Sequence, residues 1–513
     1  MKKRVIAIIS VVACFCVLLT ACGGPSKPST TGTPDSGKDV PEAKTSITLA
    51  TNDFPTTVDP HKCATTTDFM VSLNIYEPLV YTYGDGRETK VLADDYTVSE
   101  DGLSYVFHIR EGVKFQNGDT LTADDVAYSF TRAMESPYMA NYIAGISEVK
   151  VTADNEVTIT LSSVSALFIK NIKFVAIVDK AWVESTGDIT KVANGTAVYS
   201  VSTFTEQTLL DLKAFDGYWG EQPKVTGITM KYMSDASAQL MAFESGEIDA
   251  LNVPSADWTR ISESGKYNTF TITCGNTMFL MCNTSKAPYD NPLVRQAIAS
   301  AIDKQAIIDM ALDGVSSVAD TIADPTTCFG AIADCTTYPH NLDEAKRLMK
   351  DAGYEDGFDG GSIMVMGSVW PKMAPVIQSN LKEIGIEVEI IMAESSTYYA
   401  DCFAGNYDMA LMSITTVNSD MADYSTIYAQ KYIGTTNMSQ YKSDAIDALF
   451  EKGLTTLDKE ARLAAYAELN EIIESECVYI PLLYRTYTMA TIPELNCVYD
   501  GIFARYSEFS WNS

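Results

Sequence analysis

A strand, a turn, a second strand, another turn and a helix follow one another in Ser99–Met134, SEDGLSYVFHIREGVKFQNGDTLTADDVAYSFTRAM. Val106, His108 and Ile109 belong to an extended run, while Glu111-Gly112 and Asn117-Gly118-Asp119 supply turn chemistry. Thr122 then caps a helix whose first turn holds Asp124 and Asp125, where the helix dipole favours acids. Val126, Phe130, Ala133 and Met134 give that helix a single apolar stripe.

The same alternation continues downstream. Ser234–Ser245 reads as a helix. Asn291-Pro292 opens another, with Val294, Ala297, Ile298, Ala301, Ile302, Ile308 and Leu312 on one face and Gly314 at its end. Asn341 starts a helix with Leu348 and Met349 inward and Gly353 as its stop. Ala374, Ile377, Leu381 and Ile384 mark one more, stopped by Gly385, and Ile386–Ile390 alternates as a strand. The order is mixed α/β with no short internal repeat. A body of this length exceeds what one core normally holds, so two or three domains are expected.

The N-terminus carries Lys2, Lys3 and Arg4 and then an apolar run, Val5–Thr20, that is short for a membrane span of about 20 residues. Leu19-Thr20-Ala21-Cys22 resembles a bacterial lipobox, which predicts a signal peptide over residues 1–21 and lipid on Cys22. Two acyl chains hold such a chain at a membrane, because each buried methylene contributes about 0.8 kcal/mol. Residues 22–46, rich in Ser, Thr, Pro and Gly, read as an anchor and flexible linker ahead of a folded body from Ile47.

The formal charge of −30 argues against nucleic acid, which needs basic patches, and favours neutral or cationic ligands over anionic ones. Of eleven cysteines, none forms a C-x-x-C or a Cys/His cluster, so no metal site and no cofactor are expected. Cys274 and Cys282 share one apparent strand, too far apart to bridge. Cys328 and Cys335 flank a short Gly-containing loop and are the candidate disulfide; reduced, buried thiols are the alternative.

The Ser99–Met134 segment closely resembles the signature of the family 5 solute-binding proteins of ABC importers, the oligopeptide, dipeptide and nickel binders. YWGEQPKVTGITMKYMSDASAQLMAFESGEIDA (Tyr218–Ala250), MCNTSKAPYDNPLVRQAIASAIDK (Met281–Lys304), Asn341–Gly353 and Glu476–Tyr484 resemble further family blocks in the family's order. The resemblance implies a periplasmic-binding-protein-like α/β fold with two lobes around a ligand cleft and an extra inserted domain. By that analogy lobe I is 47–72, 183–276 and 485–513, the inserted domain is 73–182, and lobe II is 277–484. Chain crossings fall near Thr277 and Tyr484. The implied function is capture of a solute, most often peptides, by hinge closure at the outer face of the cytoplasmic membrane, and delivery to an ABC permease. The chain is expected to act as a monomer.

The resemblance also nominates ligand-binding residues. In peptide-binding relatives an acid after the strand that corresponds to Tyr407–Met412 pairs with the peptide ammonium. Here SITTVNSDMADYSTIY (Ser413–Tyr428) offers Asp420, Asp423 and Asn418, and Ile414 stands where a Trp is usual. Trp370 is the candidate cleft wall, and Thr51, Asn52 and Phe54 the contribution of lobe I. His61 is the one histidine placed for ligand contact; His108 and His340 read as structural and exposed. A binder of a non-peptide solute, or a sensor or adhesin on the same fold, remains open. A secreted hydrolase finds no support, since G-x-S-x-G, H-E-x-x-H and P-loop motifs are missing.

Overall fold

The structure is a computed structural model that describes residues 44–512. The expected signal peptide, the lipid site at Cys22 and most of the linker lie outside the described residues. Among the described residues no helix is long and apolar enough to cross a membrane.

Two long strands, Asn268–Cys282 and Tyr479–Thr491, pair antiparallel and form the seam of an 11-stranded sheet. On one side of the seam follow Met409–Thr415, Phe358–Val365 and Ile386–Met392, the last two parallel. On the other side follow Ala250–Asn252, Ser46–Thr51, Gly227–Tyr232, Leu209–Ala214 and Tyr199–Thr205, with Ser46–Thr51 parallel to Gly227–Tyr232. Ser317–Val318 pairs as a side branch with Tyr479–Thr491. The seam itself is irregular: Thr273 faces Thr486, but Thr277 faces Tyr484, so the first strand bulges between them. Gly275 sits in this bulge at φ +61°, the left-handed region that favours glycine.

Each side of the seam has its own core. One runs from Met278 to Leu483 and is covered by the helices Pro292–Ala301, Lys304–Ala311, Leu342–Asp351 and Trp370–Lys382. The other gathers Ile47, Ile228, Met230, Leu210 and Leu212 with Leu495, Tyr506 and Phe509 from the C-terminal segment. A third core lies between a four-stranded antiparallel sheet, in the order Ala93–Val98, Ser104–Ile109, Glu156–Leu161, Ile146–Ala153, and the helix Ala123–Met134. The result is two α/β lobes and an additional domain.

The signature segment folds largely as its residues dictate. Thr122 and Asp125 form a reciprocal capping box at the head of Ala123–Met134. Val126, Phe130 and Ala133 are fully buried, but Met134 is exposed, so the apolar stripe is shorter than expected. The second expected strand reduces to one bridge, Lys114 with Thr120. The Gln116 amide instead donates to the carbonyls of Ala197 and Tyr199, tying the hairpin to the neighbouring chain. The long helix expected from Pro292 breaks at Ile302, because the Asp303 carboxylate accepts the Ala306 amide and starts a second helix. Cys328 and Cys335 are free thiols, so the candidate bridge is not formed. Their sulfurs lie instead near the carbonyls of Phe329 and Ile332, each close to its own backbone.

Candidate ligand cleft

A cavity of about 840 Å³ opens beside the seam. Its floor is Thr273 and Gly275 of the bulge and Thr415–Val417 of the adjoining strand end. Lys170 and Lys173, from Leu167–Phe174 of the additional domain, form one wall; Thr326–Phe329 and Arg462 form another. The C-terminal segment Val498–Phe503 with Arg505 closes the third. A second cavity of about 330 Å³ adjoins it, lined by Leu49, Thr51, Asp53, Met70, Met230 and Met489 among others. Thr415, Tyr499 and Ile502 line both, so the two cavities form one cleft. Their sizes match those of small-molecule sites, about 300–1,000 Å³.

The acids nominated from sequence are occupied. Asp420 is fully buried, and both of its oxygens accept from Arg462 Nη2 at 2.9 Å. Lys170 Nζ donates to its Oδ2 at 2.9 Å, and the Tyr466 hydroxyl and the Ala422 amide donate to Oδ1. With those donors in place it has no free face for a ligand ammonium. Asp423 accepts from the Asn418 backbone amide at 2.9 Å and from Asn418 Nδ2 at 3.0 Å. Burial pushes its carboxyl up to about 6 against the pull of those bonds. Asn418 also donates to Asn171 Oδ1, and neither Asp423 nor Asn418 lines either of the two cavities. These residues join the additional domain to the lobe carrying Tyr407–Tyr428.

The remaining nominees divide. Thr51 lines the smaller cavity and holds a tight turn, its Oγ1 accepting from the Asp53 amide at 3.0 Å. Asn52 is exposed and lines neither cavity, and Phe54 is buried, with its ring parallel to Phe204 at 6.2 Å. Trp370, the nominated cleft wall, lines neither cavity: at the start of its helix it packs on Tyr398, 5.6 Å between ring centres, inside the core. His61 is buried, bonds the Ala176 carbonyl at 2.9 Å and is pushed down to about 4 by burial and the nearby Arg132; it too lines neither cavity.

The sequence reading missed the side chains that dominate the cleft. Lys173 is 3% exposed, and its ammonium donates to the carbonyls of Val417 at 3.0 Å and Thr82 at 3.3 Å. Burial pushes it down to about 8. Asp500 accepts from the Tyr81 hydroxyl and the Gly84 amide, both at 2.8 Å. A signal for the lysines was present. Leu167–Val178, LFIKNIKFVAIV, places Lys170 and Lys173 three apart in a run that is apolar apart from them and Asn171, where a lysine needs a specific partner. Among the described residues no cluster of His, Cys, Asp and Glu is placed to hold a metal ion.

A family model described as bacterial extracellular solute-binding proteins, family 5 middle, matches residues 89–435. The chain is 28% identical over 453 residues to the dipeptide-binding protein of Escherichia coli (strain K12), covering 81% of this chain and 84% of that protein. It is also 28% identical over 477 residues to the nickel-binding periplasmic protein of the same strain, covering 85% and 88%. Among solved structures it resembles the ABC transporter-associated periplasmic binding protein DppA from Helicobacter pylori in complex with the peptide STSA. The TM-score is 0.77 at 25% identity, covering 91% of this chain and 98% of that one. The fold is that of the periplasmic binding proteins.

Proposed function

From membership of the family 5 bacterial extracellular solute-binding proteins, to which this chain belongs, we propose that it captures peptides in the cleft and presents them, lobes closed, to an ABC permease. The chain is a solute-binding protein of ABC import and not an enzyme. The observation that carries the finer reading is the position of the 840 Å³ cavity directly on the Thr273–Thr277 bulge. The described core holds its lobes together through the two seam strands, and a bulge with glycine is where a pair of strands bends with least resistance. Rotation there opens and shuts the cleft, and only the shut form contacts the ligand from both sides. In this reading lobe I comprises 47–72, 183–276 and 485–513, lobe II 277–484, and the inserted domain 73–182. Lipid on Cys22 would keep the body at the outer face of the membrane, near its permease.

Backbone groups suit a peptide. Thr415–Val417 lies at the end of the strand Met409–Thr415, whose pairing with Phe358–Val365 reaches only Met409 and Ala410, so beside the cavity an extended chain is able to pair as an added strand. Native mass spectrometry of protein purified without denaturation, followed by denatured release, tests the proposal. A ladder of peptide masses is expected. A single non-peptide mass, or protein whose melting temperature no peptide mixture raises, would overturn peptide capture.

A further inference from the structure

We propose that the cleft is built for an amphipathic anion: a carboxylate-bearing group against Lys173 and Lys459 in the larger cavity, and an apolar group in the methionine-lined smaller one. This rests on the cleft being the ligand site. Within the peptide reading it names the class: short peptides that place an acidic side chain at the lysines.

The charges of the larger cavity are unbalanced. It is lined by Arg87, Lys170, Lys173, Lys459, Arg462 and Arg505 against Asp85, Asp500 and Glu508. Arg87 is paired with Asp85 and Arg505 with Glu508. Lys170 and Arg462 share the single carboxylate of Asp420. Asp500 is bonded by neutral donors, Tyr81 and Gly84. Lys173 and Lys459 remain, and among the described residues neither has a carboxylate within salt-bridge distance.

Lys173 is the more telling of the two. An ammonium removed from water with no carboxylate in direct contact is unfavourable; Asp500 and Asp423 act on it only through space, and its two carbonyl acceptors compensate only in part. Its lowered proton affinity reports the same deficit. A ligand carboxylate entering the cavity would supply the missing charge in a poorly hydrated setting, where such bonds are strongest. The chain as a whole carries −30, so the cleft opposes the field of the surface around it. That inverts the expectation from net charge alone, which favoured neutral or cationic ligands.

The smaller cavity has the opposite character. Leu49, Met70, Met230, Leu251, Ile272 and Met489 line it, and its one charged side chain, Asp53, accepts from the Thr67 hydroxyl at 2.7 Å. Methionines adapt to varied apolar shapes. The shared saddle of Thr415, Tyr499 and Ile502 lets one ligand occupy both spaces.

Calorimetric titration of the purified protein with Leu-Ala-Glu, Leu-Ala-Gln, Leu-Ala-Lys and the non-peptide dianion suberate tests this. Leu-Ala-Glu is expected to bind about tenfold or more tighter than Leu-Ala-Lys, as for one charge-assisted contact. Lys173→Met and, separately, the exposed Lys459→Gln are each expected to reduce that preference. Lys459→Gln tests the inference even if Lys173→Met misfolds. Equal affinity for the Glu and Lys peptides, in wild type and variants alike, would overturn the anionic assignment and leave peptide capture standing. Binding of suberate alone would overturn peptide capture and keep the anionic assignment. Binding of none of the probes would overturn the assignment.

Discussion

Lys170 Nζ lies 2.9 Å from Oδ2 of Asp420, joining the additional domain to the lobe that carries Tyr407–Tyr428 through a carboxylate with no exposure of its own. Arg462 holds the same carboxylate from the helix Lys459–Glu476, over the ring of Tyr466. Tyr466 is in turn gripped by two glycines: a Cβ on Gly330 or Gly453 would come within 2.2 or 2.3 Å of its ring. A buried acid with two cations around it is a structural joint. Asp420→Asn leaves two cations facing a neutral amide, and removing one partner of a buried ionic group costs about 3–5 kcal/mol. Chemical denaturation is expected to show a loss of that order. A loss below about 1 kcal/mol, the range of an exposed pair, would mean that Asp420 is solvated and available to ligand.

A second buried pair anchors the signature helix. Arg132 donates from Nη1 and Nη2 to both oxygens of Asp59, at 2.8 and 2.6 Å, just beyond the first strand. Burial raises the Asp59 carboxyl, but the Arg132 bonds and charge outweigh it and hold the group below its ordinary value. Its contribution is therefore present at neutral pH and lost as pH falls through the lowered value. Arg132→Met is expected to lose about 3 kcal/mol or more at pH 7, with the gap to wild type narrowing under acid. Denaturation midpoints of both proteins at pH 7 and near pH 3.5 check this; a gap that widens under acid would reverse the assignment.

The sequence carried the elements whose causes are local. The Thr122–Asp125 capping box, the Asn341 cap, and the alternation of Ile386 and Val388 inward with Glu387 and Glu389 outward are read from neighbours within four positions. The break at Asp303 was missed because Ile302 and Ile308 continue the apolar period through it, while a side-chain cap outweighs periodicity. The cleft was the least legible. Its walls come from residues as distant as Asp85, Lys173, Gly275, Phe329, Arg462 and Asp500, and no spacing in one segment encodes that meeting. Asp420 and Asp423 were nominated by resemblance. Whether an acid meets ligand or neighbour depends on Lys170 and Arg462, and only tertiary structure brings those to it.

Gly275 is the test of the bend. At φ +61° an L side chain is strained by about 1–2 kcal/mol, and a Cβ would also lie 2.5 Å from Thr416 Oγ1. Gly275→Ala is expected to lower stability by at least that strain and to weaken the compaction that ligand produces in small-angle scattering. Adding Thr416→Ala removes the contact but not the strain, so the double variant should recover part of the loss. Unchanged stability and unchanged compaction in Gly275→Ala would remove the bulge as the hinge.

Glu474 sets a pH dependence of opposite sign to Asp59. It is 4% exposed near the end of the helix Lys459–Glu476, and its Oε1 accepts the Ile322 amide at 2.7 Å. Burial pushes its carboxyl up to about 8, with the Ile322 bond and Lys304 pulling the other way. Unfolded, a glutamate titrates near 4.3. Between those values the folded chain holds a proton that the unfolded chain has released, so stability falls as pH rises across that window. Glu474→Gln keeps the acceptor for Ile322 and has nothing to ionise. Its stability relative to wild type is expected to rise between pH 5 and pH 9 by roughly 3–4 kcal/mol, about 1.4 kcal/mol for each pH unit inside the window. His61, pushed down to about 4, titrates in both proteins and cancels in the difference. Thermal melts of the pair from pH 5 to 9 measure that difference directly. Parallel curves would mean that Glu474 is already ionised at neutral pH, held as a carboxylate by Lys304.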